Sequence, residues 1–217
     1  MCKSFLMHLD HVSYAVRHTE LADTVQRLGS ELGASFIDGG KHPRFGTRNF
    51  ILPLSHGSYI EVVAPLEHPA TESLPFRRAV HQRAESGGGW LGWVVAVSDL
   101  ARVEENLGRE AAPGHRQRPD GVDLTWRQIG VLDLIESPSL PYFIKWDEGI
   151  PHPSQAGNDG LSISEIEICG DAEAVSQWLG SSSEKFLDSL NISWVEQDDD
   201  GLVAITFATP HGDVRIN

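Results

Sequence analysis

The chain has 217 residues, of which 40% are apolar and 22% are charged, and this composition is typical of a globular protein rather than a disordered one. No apolar run reaches about 18 residues, so the sequence predicts no membrane-spanning helix. The formal net charge of -14, from 17 Lys and Arg against 31 Asp and Glu, argues against general binding to nucleic acid phosphates.

The negative charge is concentrated near the C-terminus. Residues 160–217 hold 11 carboxylates and two cations, whereas residues 1–159 hold 20 carboxylates and 15 cations. This shift predicts a boundary near 155–160. Cys2 and Cys169 are too few for a disulfide framework, and the apolar stretch near the first residue is too short for a signal peptide. We therefore expect a cytoplasmic protein.

Residues 9–65 predict a β-α-β-β-β unit. The strand LDHVSYAV precedes apolar residues at helical spacing from Leu21 to Leu32, and Gly33 suits the end of that helix. The segment ASFID follows, then a predicted turn at GGKHP and two strands, TRNFILPL and SYIEVVAP, on either side of the turn SHG.

The same order of elements returns further along the chain. After a predicted linker helix over 71–86 come the strand WLGWVVAV, a helix capped by Asp99, a turn within 116–121, and the strands VDLTWRQIG and PYFIKW. A third, shorter copy has the strand LSISEIEI, a helix capped by Asp171, and strands within 192–217. The sequence predicts a paired βαβββ domain over residues 5–155, with modules at about 8–66 and 89–150. A truncated acidic βαββ module is predicted over 160–217.

These motifs, in this order, resemble the glyoxalase-like branch of the vicinal oxygen chelate superfamily. The resemblance rests on LDHVSYAV, GGKHPRFGTRNFILPL, SYIEVVAP, RQRPDGVDLTW and LPYFIKWDEGIPHP. It implies an α+β fold whose paired βαβββ modules form a cup-shaped mixed sheet, as in glyoxalases and dihydroxybiphenyl dioxygenases, with a pocket inside the cup. Strand alternation agrees, because His11 and Ser13 share one face of their strand and Tyr59 and Glu61 share one face of theirs.

The resemblance places His11 and Glu61 at the family's first two metal-ligand positions, where a nitrogen and an oxygen donor suit Zn, Mn, Fe(II), Co or Ni. Aligning the two modules sets Gly92 opposite His11 and Lys145 opposite Glu61. Neither residue offers a lone pair to a metal. A divalent metal on His11 and Glu61 remains one alternative, but the sequence favours an ion pair between Lys145 and Glu61. His11, Glu61 and Lys145 are thus the candidate catalytic residues.

Further pocket candidates lie on or beside the predicted cup strands: Ser13, His42, Thr47, Asn49, Tyr59, Trp93, Trp126, Arg127 and Phe143. The roles of the arginines at 116–127 and of two strand aromatics stay open. Arg116, Arg118 and Arg127 either recognise an anion or balance the acidic third module on the surface. The strand aromatics Trp93 and Phe143 either line the cup or belong to the core.

The resemblance implies a pocket protein for a small molecule, and a lyase or isomerase acting on a small carbonyl compound if it is an enzyme. The alternative is a non-catalytic protein that binds a metabolite or drug at a degenerate metal site. A third hypothesis is an interaction module that uses the acidic residues 160–217. We expect a polar or anionic small ligand, neither nucleic acid nor membrane as a partner, and a surface compatible with a homodimer.

Overall fold

The computed structural model describes residues 6–157, 160–180 and 183–217. Cys2 and residue 5, where the predicted paired domain begins, lie outside the described residues. The helices are α1 (Leu21–Leu32), α2 (Pro75–Glu85), α3 (Leu100–Leu107), α4 (Ala172–Leu179) and α5 (Ser183–Ser189). The strands are β1 (Met7–Ala15), β2 (Ile37–His42), β3 (Thr47–Pro53), β4 (Tyr59–Pro65), β5 (Gly89–Val97), β6 (Ala112–Gln117), β7 (Asp123–Ile129), β8 (Tyr142–Trp146), β9 (Ser162–Cys169), β10 (Ile192–Val195), β11 (Gly201–Thr209) and β12 (Gly212–Ile216).

The first eight strands form one mixed sheet in the order β2-β3-β4-β1-β5-β8-β7-β6. Each half contains the same arrangement, since β1 pairs in parallel with β4 and β5 pairs in parallel with β8. The halves join through the antiparallel pair β1 and β5. At the far edges, Gly40 of β2 lies against Pro119, which follows β6, so the sheet curves into a nearly closed cup. The predicted fold of paired βαβββ modules is confirmed.

The helices form where the sequence supplies an apolar stripe and suitable ends. Helix α1 buries Leu21, Leu28 and Leu32 against the sheet and ends at Gly33, whose φ of 64° is the left-handed conformation that glycine adopts easily. Asp99 caps α3 by accepting a hydrogen bond from the Ala101 amide. None of the described helices combines the length and apolar content needed to cross a membrane.

The alternation of side chains divides the sheet into an outer and an inner face. On β1 and β4, Val12 and Ile60 enter a core beneath the helices, whereas His11 and Glu61 face the inside of the cup. The parallel register aligns His11 with Tyr59 and Ser13 with Glu61. The polar residues expected inside the cup are therefore neighbours across two central strands.

The last four strands form a second sheet, in the order β10-β9-β11-β12, that packs on the outer face of the first. Trp90 of β5 donates its indole N–H to the Ile216 carbonyl at 3.0 Å, and its ring lies 6.2 Å from that of Phe207. Phe143 of β8 stacks on Trp178 of α4 at 6.4 Å. Large apolar side chains from both sheets thus share one core.

The local structure around residues 39–46 differs from the prediction. GGKHP was predicted as a turn, but Gly39 to His42 belong to β2 and the turn lies at residues 43–46. Gly46, with a φ of 69°, closes this turn and is packed so tightly that a Cβ would meet Thr71 and Arg77 at 2.8 and 2.9 Å. Strand β2 is longer than predicted because it pairs with β3 along residues 37–42.

Candidate active site

A cavity opens on the inner face of the cup, at the junction of the two modules. It has about 500 Å³ of empty space, including solvent at its mouth. Its polar lining comes from seven strands: His11, His42, Thr47, Asn49, Tyr59, Glu61, Arg116, Gln128 and Tyr142. The apolar lining is mainly aromatic: Phe45, Phe76, Trp126, Val131, Ile144 and Trp146.

A β-bulge in β1 brings two neighbouring side chains to the same site. In the pairing of β1 with β5, Leu9 aligns with Val95 and His11 aligns with Val94, so Asp10 has no partner of its own. Successive residues of a regular strand point to opposite faces, but a bulge re-aims one of them. As a result, Asp10 accepts a hydrogen bond from Nδ1 of His11 at 2.6 Å.

Asp10 is completely buried, and three donors satisfy its carboxylate. Besides His11, it accepts hydrogen bonds at Oδ2 from the indole N–H of Trp146 at 2.9 Å and from Nε2 of His152 at 3.1 Å. Burial alone would raise the pKa of this carboxyl, but the bonds from the two histidines outweigh burial and hold the pKa well below its ordinary value. Asp10 is therefore ionised at neutral pH.

His11 is held in one tautomer and one orientation. Because Nδ1–H donates to Asp10, Nε2 is left as an acceptor, and it lies 3.1 Å from the hydroxyl of Tyr142. The ring also stacks on Tyr59, with centroids 4.5 Å apart and planes 17° from parallel. Burial, together with the negative charge of Glu61, raises the pKa of the Tyr142 phenol, so Tyr142 stays protonated and can donate.

Glu61 is a buried carboxylate, 8% exposed, with one hydrogen bond to each oxygen. The amide of Asn49 donates to Oε1 at 2.5 Å, and the hydroxyl of Ser13 donates to Oε2 at 2.8 Å. A carboxylate has about four lone-pair sites. Two of them are used by Asn49 and Ser13, so Glu61 retains acceptor capacity on the cavity side.

Arg116 brings a cation from β6 across the cup to the first module. Its Nη1 lies 3.4 Å from Oδ1 of Asn49 and 3.2 Å from Nε2 of His42. Burial and the neighbouring guanidinium lower the pKa of His42 to about 4, so the imidazole is neutral at pH 7. The Asn49 amide thus links a buried cation to a buried carboxylate. Gly39 makes room for this, because a Cβ there would overlap the Asn49 side-chain oxygen.

The aromatic lining residues form a wall that gives the cavity an apolar surface. Phe45 stacks on Trp126 at 5.6 Å, and Trp126 lies 5.2 Å from Trp146. Gly114 permits this packing, since a Cβ at that position would overlap the Trp126 ring. Such a wall excludes water from one side of a bound molecule and strengthens polar contacts on the other.

The predicted ion pair between Lys145 and Glu61 is wrong. On β8, Tyr142, Ile144 and Trp146 face the cavity, so Lys145 points to the opposite side and is exposed. The β-sheet register explains the error. If Gly92 is the counterpart of His11, then Val94, two residues later, is the counterpart of Ser13. In the sheet, Ser13 aligns with Glu61 and Val94 aligns with Tyr142. The counterpart of Glu61 is therefore Tyr142, and its phenol reaches His11.

Three predicted pocket residues lie elsewhere. Trp93 is fully buried on the outer side of the sheet and donates its indole N–H to the Ser139 carbonyl. Phe143 packs in the same outer core. Arg127 is exposed and pairs with Glu104 at 3.0 Å. The other predicted residues are at the cavity: His42, Thr47, Asn49, Tyr59 and Trp126 line it, and Ser13 contacts Glu61 beneath it.

Sequence reasoning missed Asp10, Tyr142 and Trp146, and it left Arg116 undecided. Tyr142 and Trp146 share the strand parity of the cavity face, so alternation could have found them. Asp10 is the sequence neighbour of His11, and its side chain reaches the same site only because of a bulge, which no sequence pattern here predicts. His152 contacts Asp10 from 142 residues away.

The described residues do not fit the four-ligand metal set that the superfamily implies. Of the two ring nitrogens of His11, Nδ1 donates to Asp10 and Nε2 faces the hydroxyl of Tyr142, so neither is free for a metal. The counterpart positions hold Gly92, packed against Leu134, and the phenol of Tyr142. Within residues 6–157, 160–180 and 183–217, no group of three His, Cys, Asp or Glu side chains is placed to hold a metal ion.

Comparisons with known proteins agree with the architecture. A hypothetical protein from Staphylococcus aureus has 17% sequence identity and a TM-score of 0.60, with 97% of this chain and 84% of that chain covered. The methylmalonyl-CoA epimerase from Mycobacterium tuberculosis has 21% identity and a TM-score of 0.46, with 72% and 96% covered. At 17% identity, the likeness to the Staphylococcus aureus protein concerns the fold alone. No curated protein matches the chain.

The family model described as a glyoxalase-like domain matches residues 9–183, which is most of the chain. This match covers both βαβββ modules and extends into the second sheet. The protein therefore belongs to the glyoxalase-like domain family.

Proposed function

We propose that this protein is an isomerase or lyase that moves a proton next to the carbonyl group of a small organic compound. One observation supports this above the others. A buried carboxylate, Glu61, shares one cavity with the phenol of Tyr142 and with His11, whose imidazole is oriented by a second buried carboxylate, Asp10. Groups that can take up and supply protons therefore line the same small cavity, which supports the proposal.

Glu61 is the proposed general base. It has two fixed hydrogen bonds that hold its orientation and free lone pairs for a substrate proton. In the first step the C–H bond beside the carbonyl breaks and its proton passes to Glu61. The electron pair of that bond forms the carbon–carbon double bond of an enolate, and negative charge moves to the carbonyl oxygen.

Tyr142 is the proposed donor to that oxygen. Its O–H can turn from Nε2 of His11 toward a substrate oxygen in the cavity, because a hydroxyl hydrogen takes the position that suits its acceptors. A donor fixed where negative charge develops stabilises the transition state more than the ground state. Asp10 and Tyr59 act through His11, the one by a hydrogen bond and the other by stacking.

The second step decides the reaction class. If Glu61 returns the proton to carbon at a different position or face, the product is an isomer. If a leaving group departs from the neighbouring carbon with its bonding pair, the product is that of a lyase and Glu61 keeps the proton until release. Both outcomes use the same first step, so that step is the one to test.

The test is exchange of carbon-bound hydrogen for deuterium. Small carbonyl compounds, including 2-oxobutyrate and butanone, are incubated with protein in D₂O, and loss of the C–H signal is followed by proton NMR. We expect exchange above the buffer rate, reduced by about 100-fold or more in Glu61→Gln. Glu85→Gln, at an exposed carboxylate that pairs with Arg17, is the matched control and should exchange like wild type.

Exchange at the wild-type rate in Glu61→Gln would refute the role of Glu61. Saturable binding of these compounds without any exchange would refute the enzymatic proposal and favour the alternative, a protein that only binds its ligand.

A further inference from the structure

Arg116 is a buried cation that pairs with no carboxylate in the described part of the chain. Its side chain is 7% exposed and lines the cavity, and only Nη1 contacts neighbouring side chains. A guanidinium has five N–H donors. Burying a charge is costly unless it is paired, so the donors that remain on Arg116 call for an anionic partner.

Asn49 explains why Glu61 is not that partner. The Asn49 amide stands between the two charges, with its oxygen 3.4 Å from Nη1 of Arg116 and its nitrogen 2.5 Å from Oε1 of Glu61. This arrangement keeps the guanidinium and the carboxylate apart while both remain at the cavity. An Arg116–Glu61 ion pair would instead occupy the base and close the site.

Thr47 supplies a second, independent observation. It is fully buried, lines the cavity, and its hydroxyl has no hydrogen-bond partner among the described residues. Thr47 and Asn49 lie two residues apart on the same face of β3, so Thr47 is on the same side of the cup as the side chain that Arg116 contacts. Buried hydroxyls without partners are uncommon in native proteins, and a ligand is one of the groups that satisfy them.

The charge at this end of the cavity selects the ligand class. His42 contacts Arg116 but is neutral at pH 7, so the guanidinium provides one positive charge. One guanidinium with a nearby hydroxyl suits a planar monoanion with two oxygens, and Arg binds carboxylates through two parallel hydrogen bonds. A phosphate dianion would leave one charge without a partner.

We propose that Arg116 and Thr47 bind a carboxylate group of the substrate. This inference rests on the proposed function for its reaction, and it names the substrate class as a small carboxylic acid with a carbonyl group. Binding at Arg116 would hold the acid at one end and leave its reacting carbon toward Glu61. The aromatic wall would cover the rest of the molecule.

The test compares phenylacetate with phenylacetamide, which has nearly the same shape but no charge. Binding is followed by the intrinsic fluorescence of the cavity tryptophans, Trp126 and Trp146. We expect wild type to bind the acid about 10- to 100-fold more tightly than the amide, the factor expected from charge-assisted hydrogen bonds. Arg116→Gln should remove this preference, because it weakens binding of the acid far more than binding of the amide. Arg127→Gln, at the exposed arginine of β7, should keep the preference.

Equal affinities of wild type for acid and amide would overturn the proposal without any variant. Tighter binding of inorganic phosphate than of phenylacetate would overturn the choice of a carboxylate. Should Arg116→Gln fail to fold, Thr47→Val provides the second variant, and an unchanged affinity of this variant for the acid would contradict the role of Thr47. These outcomes do not depend on catalysis. Absence of deuterium exchange would refute the proposed function and leave the acid preference intact.

Discussion

Asp10→Asn is the substitution whose consequences follow most directly from the contacts of the site. The wild-type carboxylate accepts hydrogen bonds from His11, Trp146 and His152 and is completely buried. The new amide has nearly the same shape, but it has no charge and only one oxygen. Its NH₂ group must face at least one of the three N–H donors.

The least costly arrangement moves the proton of His11. If the amide oxygen takes the position of Oδ2, it still accepts from Trp146 and His152. The NH₂ then faces Nδ1 of His11, which must become an acceptor, so the imidazole proton passes to Nε2. His11 would then donate to the oxygen of Tyr142 instead of accepting from its hydroxyl.

The stability cost can be worked from these contacts. A hydrogen bond to a charged group contributes about 1.5–3 kcal/mol and a neutral one about 0.5–1.5 kcal/mol, so loss of the charge costs about 1 kcal/mol for each bond. With three bonds, Asp10→Asn should lower the free energy of unfolding at pH 7 by about 3 kcal/mol. Urea unfolding followed by tryptophan fluorescence measures this difference.

Asp171→Asn is the matched control for this measurement. Asp171 is an exposed carboxylate that caps α4 by accepting from the Glu173 amide at 2.8 Å, and Asn caps a helix about as well. Its cost should stay within about 0.5 kcal/mol. A loss below about 1 kcal/mol for Asp10→Asn would refute the reasoning, because it would mean that the buried charge adds little to its three bonds. Nitrogen-15 NMR of the His11 ring gives the tautomer independently.

Three further predictions use other features of the site. Lys145→Met should lower the free energy of unfolding by less than about 1 kcal/mol in the same urea assay, because Lys145 is exposed. A loss above about 3 kcal/mol would instead support a buried ion pair with Glu61. Since the folded-state pKa of Asp10 is depressed below 3.8, its contribution is complete above that pH and is lost as the pH falls further, so the stability gap between wild type and Asp10→Asn should narrow below about pH 4. Zn²⁺, Mn²⁺ or Ni²⁺ should not raise the Tm of the wild type through His11, because both ring nitrogens of His11 are engaged. A rise in Tm that is lost in His11→Asn would instead show that a metal displaces Tyr142.

Strand alternation identified much of the site in advance. It placed His11 and Ser13 on one face of β1 and Tyr59 and Glu61 on one face of β4, and the structure places all four on the inner side of the cup. The pattern is informative here because β1 and β4 are central strands with apolar residues such as Val12 on the opposite face.

Alternation failed where the strand is irregular or the register is offset. Asp10 would point away from His11 in a regular strand, and only the bulge between Leu9 and His11 brings them together. Lys145 was aligned with Glu61 by similarity of short sequence patterns, but the true counterpart lies three residues earlier, and a shift by an odd number of residues reverses the face of a strand. The observed register gives that place to Tyr142.

Contacts between distant segments of the chain could not be predicted from local sequence patterns. Arg116 reaches Asn49 across 67 residues, and Trp146 reaches Asp10 across 136 residues. Both contacts depend on the curvature of the sheet, which in the case of Arg116 and Asn49 brings strands near its two opposite edges together. The sequence shows that Arg116 is available for an anion, but only the closed cup shows that it is buried beside the site rather than solvated on a surface ribbon.

The most direct measurement of the central claim, that Glu61 is the base of a proton-transfer site, combines exchange and binding in the Glu61→Gln variant. We predict that deuterium exchange falls by about 100-fold or more while the affinity for phenylacetate stays within about threefold of wild type, because the substitution removes the base but not Arg116. Exchange at the wild-type rate, with binding intact, would contradict the claim.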